Sequence, residues 1–426
     1  MSANLEQASL EQASLEQAGP KQSDLKHDIQ GPRHYRNNEK LLRLADPAWQ
    51  AAADAGLLEV DVVATGDRLR VPGSGHEFTN LCSCSYLGLN RHPKIIQGAV
   101  DALRQEGTTA LSMSTTRVRP ALLTRLEEEL GDLFDATALA GLSCSSLTGG
   151  ILPLLASGHL AEGGPRVMVF DRHCHFCMAY AKPVCADESV VLTCGHNDID
   201  ELERICREYP RVAYVADGAY SMGGAARLDR LQELQEQYGL FLFFDDSHSL
   251  SVHGDHGEGF VRSRMELNPL TMVVASLHKA FGAKGGVVMF AQARLRDVLL
   301  RHGGALGWSQ NMGVADIGAA LASAAIHRTA ELGVLQRKLR SNVDLFDELL
   351  ATPFAGDGLN IRFVEVGDAD RAVRLSAGLY QRGYYSSAVF FPIVARGKAG
   401  VRIMLRADLT DSQISGFCAA VRELTA

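Results

Sequence analysis

Lys279 and Asp245 are the residues from which chemistry is read first. Lys279 stands in SLHKAFGAKGG (Ser276 to Gly286), directly after the apolar run 271–275, and Asp245 stands in FFDDSHS (Phe243 to Ser249), also at the end of an apolar run. An unpaired ammonium in apolar surroundings is costly, so a lysine at such a place needs a reason. An amine can form an imine with an aldehyde, and a carboxylate can hold a proton on an aromatic nitrogen. Pyridoxal phosphate (PLP) demands both groups of the protein that binds it. Each residue also has a plainer reading on its own. Lys279 would be a surface lysine at a helix start, and Asp245 a turn aspartate capping a helix, a task the neighbouring Asp246 could take.

These residues need a frame that brings strand ends together. Short apolar runs at 166–170, 211–216, 240–244, 271–275 and 287–290 alternate with helical periodicity over 93–105, 121–134, 198–208 and 228–238. Strands that are apolar along both faces and separated by helices predict an α/β fold with a mostly parallel sheet covered on both sides. Ligands in such sheets sit beyond the carboxyl ends of the strands. The runs are followed there by Asp171 with His173 and His175, by Asp217, by Asp245 to His248, and by Ser276 to Lys279. A further helix is expected over 38–56, and a long, broken, alanine-rich one over 314–350. A smaller α+β unit follows, with strands at 360–366 and 400–405 and helices at 369–382 and 411–424. The expected division is a disordered, LEQAS-repeating tail at 1–37, an N-terminal segment at 38–95, a large cofactor-binding domain at 96–315, and a linker helix with a small C-terminal domain at 316–426.

Composition narrows the partners. The 426 residues are 46% hydrophobic and 22% charged, ordinary for a globular chain too long for one core. A net charge of -8 argues against nucleic acid or an anionic membrane as partner. No run approaches the ~20 apolar residues of a membrane span, and the start lacks a signal-peptide pattern, so a cytoplasmic protein is expected. The nine cysteines read as reduced thiols. His173-Cys174-His175-Phe176-Cys177 invites a zinc reading, but no second cysteine pair of matching spacing follows, so no metal is expected.

The segments SYLGLNRHP, DRHCHF, CGHNDIDEL, DGAYSMGGAARL, FFDDSH and SLHKAFG together resemble the α-oxoamine synthases, PLP enzymes of fold type I that include 8-amino-7-oxononanoate synthase, 2-amino-3-ketobutyrate CoA ligase and serine palmitoyltransferase. The resemblance runs from about residue 80 to 410. It implies a homodimer with a shared active site, in which Lys279 carries the cofactor imine and moves the substrate α-proton, and Asp245 pairs with the pyridine nitrogen. His175 matches the histidine stacked on the ring; His173 competes for that part, and the four-residue offset from Asp171 favours His175. His248 and Ser221 match groups near the phenolic oxygen. Cys144 and Ser145, at the start of SCSSLTGG, match backbone contacts to the cofactor, and a helix start of this kind suits a phosphate. Ser276 takes the place of a threonine near the phosphate, and Ser309 lies where the other subunit reaches it. Arg402 matches the arginine that clamps the substrate carboxylate, for which a guanidinium is the natural partner.

The departures fall on the substrate side. Cys84 replaces an asparagine. Ser114 and Leu123 replace an arginine and a histidine, with Arg117 and Arg119 near enough to supply charge from new positions. Gly223 replaces an acid, Gly313-Val314 a proline pair, and Arg406 and Leu409 a serine and a histidine. Substrate contacts are therefore expected from Arg402, Ser114, Cys84 and Arg117, with an anionic or unusually large second substrate. The resemblance implies a quinonoid formed from an amino acid and joined to an acyl thioester or other electrophile. The alternatives are transamination, β- or γ-elimination or replacement, and a silent partner subunit. The last is disfavoured because such subunits lose the lysine.

Overall fold

The structure, a computed structural model, describes residues 38–111 and 114–426. The expected tail and its LEQAS repeat lie outside the described residues. The centre is a seven-stranded sheet in the order β4-β10-β9-β8-β7-β5-β6. Its strands are β4 (Thr137–Gly141), β5 (Val167–Asp171), β6 (Val191–Cys194), β7 (Val212–Asp217), β8 (Phe241–Asp245), β9 (Thr271–Ser276) and β10 (Gly286–Phe290). All run parallel except β10, which is antiparallel to both neighbours. The five apolar runs are five of these strands, each within a residue or so of its expected bounds; β4 and β6, shorter in apolar character, were not foreseen.

Burial on both faces explains the unbroken apolar runs. Val169, Tyr214, Ala216, Leu242, Phe244, Val273 and Val287 enter one core with the helices Ala121–Phe134, Ile199–Glu208 and Leu228–Tyr238. Their chain neighbours Met168, Phe170, Ala213, Val215, Phe243 and Val274 enter the other, against the helix Cys144–Ala156. Strand period two sends successive side chains to opposite faces, so every position must be apolar. Burying each Val, Leu, Met or Phe among them contributes roughly 1.5–3 kcal/mol.

The helix starts are written in short polar residues. Ser143 and Ser146 form a capping box at the start of Cys144–Ala156, and Asp198 caps Ile199–Glu208. The long alanine-rich stretch is two helices, Val314–His327 and Ala330–Leu349, broken at Arg328-Thr329. The first packs on the helix Pro93–Glu106 through Gly98 and Gly318; a Cβ on Gly98 would lie 2.7 Å from the Gly318 carbonyl oxygen.

Near the C-terminus, β11 (Ile361–Gly367), β14 (Ala399–Met404) and β13 (Ser387–Val389) form an antiparallel sheet in that order. The helices Ala369–Gln381 and Asp411–Thr425 accompany it, so the α+β pattern is present. Arg362 on β11 is wholly buried and bridges Asp347 and Asp357. A small sheet of β1 (Val63–Thr65), β2 (Arg68–Arg70), β3 (Glu77–Asn80) and β12 (Tyr384–Tyr385) had no clear sequence signal. Its members are two to four residues long, too short to show a period.

Candidate active site

The carboxyl ends of β5, β7, β8 and β9 deliver Asp171, Asp217, Asp245 and Ser276 to one edge of the sheet. Register fixes their relation: Asp217 pairs directly with Asp245 across β7 and β8. Both are almost fully buried. Burial, and next the negative charge of Asp245, push the Asp217 carboxyl well above the usual carboxylate range, while Lys279 and His175 act the other way. Asp217 also accepts the backbone N–H of His175 at 2.7 Å, which seats that histidine. Asp171 has a different task. It accepts from the His173 N–H at 2.7 Å, from Tyr214 Oη at 2.8 Å and from the Asn197 N–H at 3.0 Å, and it lies 3.1 Å from His196 Nδ1. Burial alone would raise its pKa, but these partners outweigh burial and hold it below the usual range. Asp171 therefore anchors the turn on which His173 and His175 ride.

Asp245 sits at the floor. It accepts the Ser247 N–H at 3.0 Å through Oδ1. Among the described residues its Oδ2 bonds two thiols, Cys144 Sγ at 3.5 Å and Cys177 Sγ at 3.6 Å. Cys144 opens the helix Cys144–Ala156, so the N-terminus of that helix and the acid are tied together. Gly286 makes this approach feasible: a Cβ there would lie 2.4 Å from the Cys144 nitrogen. His175 Nδ1 is 3.0 Å from Cys177 Sγ. Asp246, the alternative cap, points away into its own bonds with Ser249 and with the Val261 N–H at 2.9 Å, and burial pushes its carboxyl up to about 6.

Lys279, His248 and Arg402 lie near these acids or one another. Lys279 is half-buried in the turn after β9 and acts electrostatically on both Asp217 and His248. His248 is buried, 2.6 Å from Tyr86 Oη, and burial together with the positive charges of Lys279, Arg402 and His175 keeps its imidazole neutral. Arg402, on β14, donates to the Ser221 carbonyl at 3.3 Å, and its buried Nε has no hydrogen-bond partner among the described residues. Ser276 donates its N–H to Ser247 Oγ at 2.8 Å and accepts the His278 N–H at 3.2 Å. Ser145 is exposed on the first turn behind Cys144.

The rim differs residue by residue. Ser114 is buried; its hydroxyl meets Thr116 Oγ1 at 2.7 Å and the Gly307 carbonyl, tying two loops together. Arg117 is exposed over the Trp308 ring at 5.9 Å. Arg119 does not supply free charge: it pairs with buried Glu127 at 2.8 Å. Arg406 pairs with Asp408 at 2.7 Å, and Leu409 is buried in the core. Ser309 is half-buried beside the exposed Trp308. Gly223 has φ 102°, and a Cβ there would lie 2.5 Å from the Phe354 ring. Cys84 lines an open cleft of about 620 Å³ with His278 and Lys284, which flank Lys279, and with Ile95, Ile96 and Val100 of the helix Pro93–Glu106. Sequence reading missed Tyr86, and it saw Cys177 as a thiol of the His173–Cys177 cluster without its contact to Asp245. Tyr86 lies within SYLGL, but nothing in that segment indicates that it reaches His248, 162 residues away.

The set fits PLP chemically. One buried carboxylate lacks a strong donor on one oxygen. A capped helix start with hydroxyls suits a phosphate, an amine is at hand, and a neutral imidazole stands close by.

The family profile for aminotransferase class I and II matches residues 76–421. The 8-amino-7-oxononanoate synthase of Geobacter sulfurreducens is 29% identical over 85% of this chain and 92% of its own. That of Symbiobacterium thermophilum is 29% identical over 82% and 90%. A serine palmitoyltransferase from S. paucimobilis, solved with a bound PLP–myriocin aldimine, superposes with a TM-score of 0.78 at 19% identity, covering 91% of this chain and 99% of its own. At that identity the likeness concerns the fold.

Proposed function

Because the chain belongs to the aminotransferase class I and II family and within it to the PLP-dependent α-oxoamine synthases, we propose that it joins the α-carbon of an amino acid to the acyl carbon of a thioester, with Lys279 as the cofactor lysine. The observation that carries this reading is the convergence of Asp245, Lys279, His175 and the helix start at Cys144 on one edge of the sheet. Bound there, PLP supplies a sink for the electron pair left on the α-carbon when its proton departs.

The protein's own groups do the rest. Asp245 would hold a proton at the pyridine nitrogen, and its burial would strengthen that ionic contact. The helix start, with Ser145 and Ser276, would receive the phosphate. His175 would pack against the ring, and Ser221 and neutral His248 would serve the phenolic oxygen. Arg402, with its free buried Nε, takes the substrate carboxylate and fixes which α-carbon bond faces Lys279. The Lys279 amine then removes the α-proton. The α-carbon attacks the thioester, the C–S bond breaks, and the thiol leaves with a proton. The cleft beside Lys279, with an apolar helix face and Lys284 at its edge, admits the thioester. Ser309 serves the site of a second subunit in a homodimer, and the enzyme acts in the cytoplasm. Among the described residues no helix is long and apolar enough to cross a membrane.

Purified protein is reconstituted with PLP, fixed with borohydride and digested. The expected adduct lies on Lys279; an adduct elsewhere, or none, overturns the reading. Amino acids labelled at carbon and nitrogen then test the reaction in the presence of acyl thioesters. Incorporation of the nitrogen into a product longer by the acyl chain supports condensation, whereas release of an oxo acid or of a side-chain fragment refutes it.

A further inference from the structure

The proposed function leaves the sulfurs of two cysteines without a role, although both stand on the acid at the floor of the site. Cys144 Sγ and Cys177 Sγ approach the same oxygen, Asp245 Oδ2, at 3.5 and 3.6 Å. All three ligand atoms lie within 4.8 Å of one another. A zinc ion bound by sulfur at about 2.3 Å and by oxygen at about 2.0–2.2 Å sets the sulfur–oxygen edge of its tetrahedron at about 3.5–3.7 Å. Both sulfur–oxygen edges here already have that length. Water takes the fourth position, since His175 Nδ1 already accepts the Cys177 backbone N–H at 3.3 Å. Two sulfurs and a carboxylate form a donor set that suits zinc-like cations rather than magnesium or calcium. Cys144 and Asp245 are buried and Cys177 nearly so, which favours a charged guest that neutralises them.

We propose that, in the absence of cofactor, Cys144, Cys177 and Asp245 bind one thiophilic divalent cation, and that this cation and PLP exclude each other. The cation state carries one net negative charge and the cofactor state none. A dication displaces one proton from each thiol, so two protons leave and three anionic ligands face two positive charges. The protonated ring nitrogen brings one positive charge to one carboxylate, and the thiols stay neutral. The same pocket accommodates either guest by changing only the protonation of its sulfurs. Cation binding stands on the ligand geometry alone; mutual exclusion rests on the proposed function.

Full-length protein stripped of cofactor is titrated with cobalt(II), a coloured stand-in for zinc. The expected result is one ion per chain, with the visible absorption of tetrahedral thiolate coordination. Affinity should fall at least about tenfold in C177S and be lost in the C144S/C177S double variant. Equal binding by the double variant overturns the site. Addition of PLP to the cobalt-loaded wild type should release the metal as borohydride-fixed cofactor accumulates on Lys279. Cobalt retained by protein that carries that adduct overturns the exclusion, and this wild-type arm decides even if the variants fail to fold. If no adduct forms with metal-free protein, the proposed function fails, while the titration still decides the cation site.

Discussion

The floor of the candidate site and its rim are built on opposite principles. On the floor, Asp171, Asp217 and Asp245 end three strands that pair with fixed register, and each acid is held by backbone or side-chain donors. On the rim, Ser114, Arg117, Gly223 and Ser309 sit in turns and loops, and nearby charges are satisfied locally, as in Arg119–Glu127 and Arg406–Asp408. A floor residue cannot change without leaving a buried charge or donor unmatched, which costs several kcal/mol. An exposed rim residue such as Arg117 can change at the cost of one loop contact. The departures from the family pattern leave the three strand-end acids untouched, even where, as at Gly223 and Leu409, the departing residue is itself tightly packed.

Asp245→Asn should give the largest effect. The amide keeps the size but cannot hold a proton on the ring nitrogen. Turnover should fall about 10²- to 10³-fold, equal to about 3–4 kcal/mol of barrier, while circular dichroism stays unchanged. Turnover within threefold of wild type would erase the distinction between floor and rim.

Acid should separate the regions next. His327 is buried between the Ser323 carbonyl and Ser251 Oγ, and burial lowers its pKa to about 4; His253 is lowered to about 4 for the same reason, and His248 also lies well below its usual value. A depressed folded pKa means that the unfolded chain takes the proton first as pH falls. Stability is therefore full above about pH 6.5 and is lost progressively toward pH 4, by on the order of 3 kcal/mol per histidine. Raised Asp217 and Asp246 act in the opposite sense, since their protonated forms are favoured by folding. Urea unfolding at pH 7 and pH 4.5 measures the net slope, and His327→Gln should flatten it. Arg117→Ala leaves these buried groups in place and should leave the slope unchanged.

Arg402→Lys probes the boundary between floor and rim. A point charge in place of a planar fork should raise KM for the amino acid about tenfold with a smaller change in kcat. An equal fall in kcat with KM fixed would place Arg402 with the floor instead.

How much of this was legible follows the same division. The floor was readable because its residues follow strands that are apolar on both faces, and the polar residue that ends each run stands out. The helices Ala121–Phe134 and Leu228–Tyr238 carry their period and stop signals in the chain. The antiparallel β10 was not legible, because direction is set by the connection and not by the strand's own residues. The Tyr86–His248 bond and the Cys177–Asp245 contact span 162 and 68 residues, and nothing local encodes them. The role of Gly223 appears only once Phe354 is seen across from it.

The smallest effect is expected at Arg117, and it tests what the rim is for. The guanidinium lies 5.9 Å from the Trp308 ring centre, and both side chains are exposed. At exposed sites such a contact contributes roughly 0.5–1 kcal/mol, so Arg117→Ala should move the unfolding midpoint little. If the second substrate is anionic, the same change should raise its KM severalfold at low salt and less at high salt, because an exposed charge acts through screened attraction. KM for the amino acid should stay unchanged, since the proposed function assigns that substrate to Arg402. A salt-independent KM would mean that the electrophile is recognised by its apolar portion in the cleft beside Ile95 and Ile96, and the extra arginines would then have no part in selecting it.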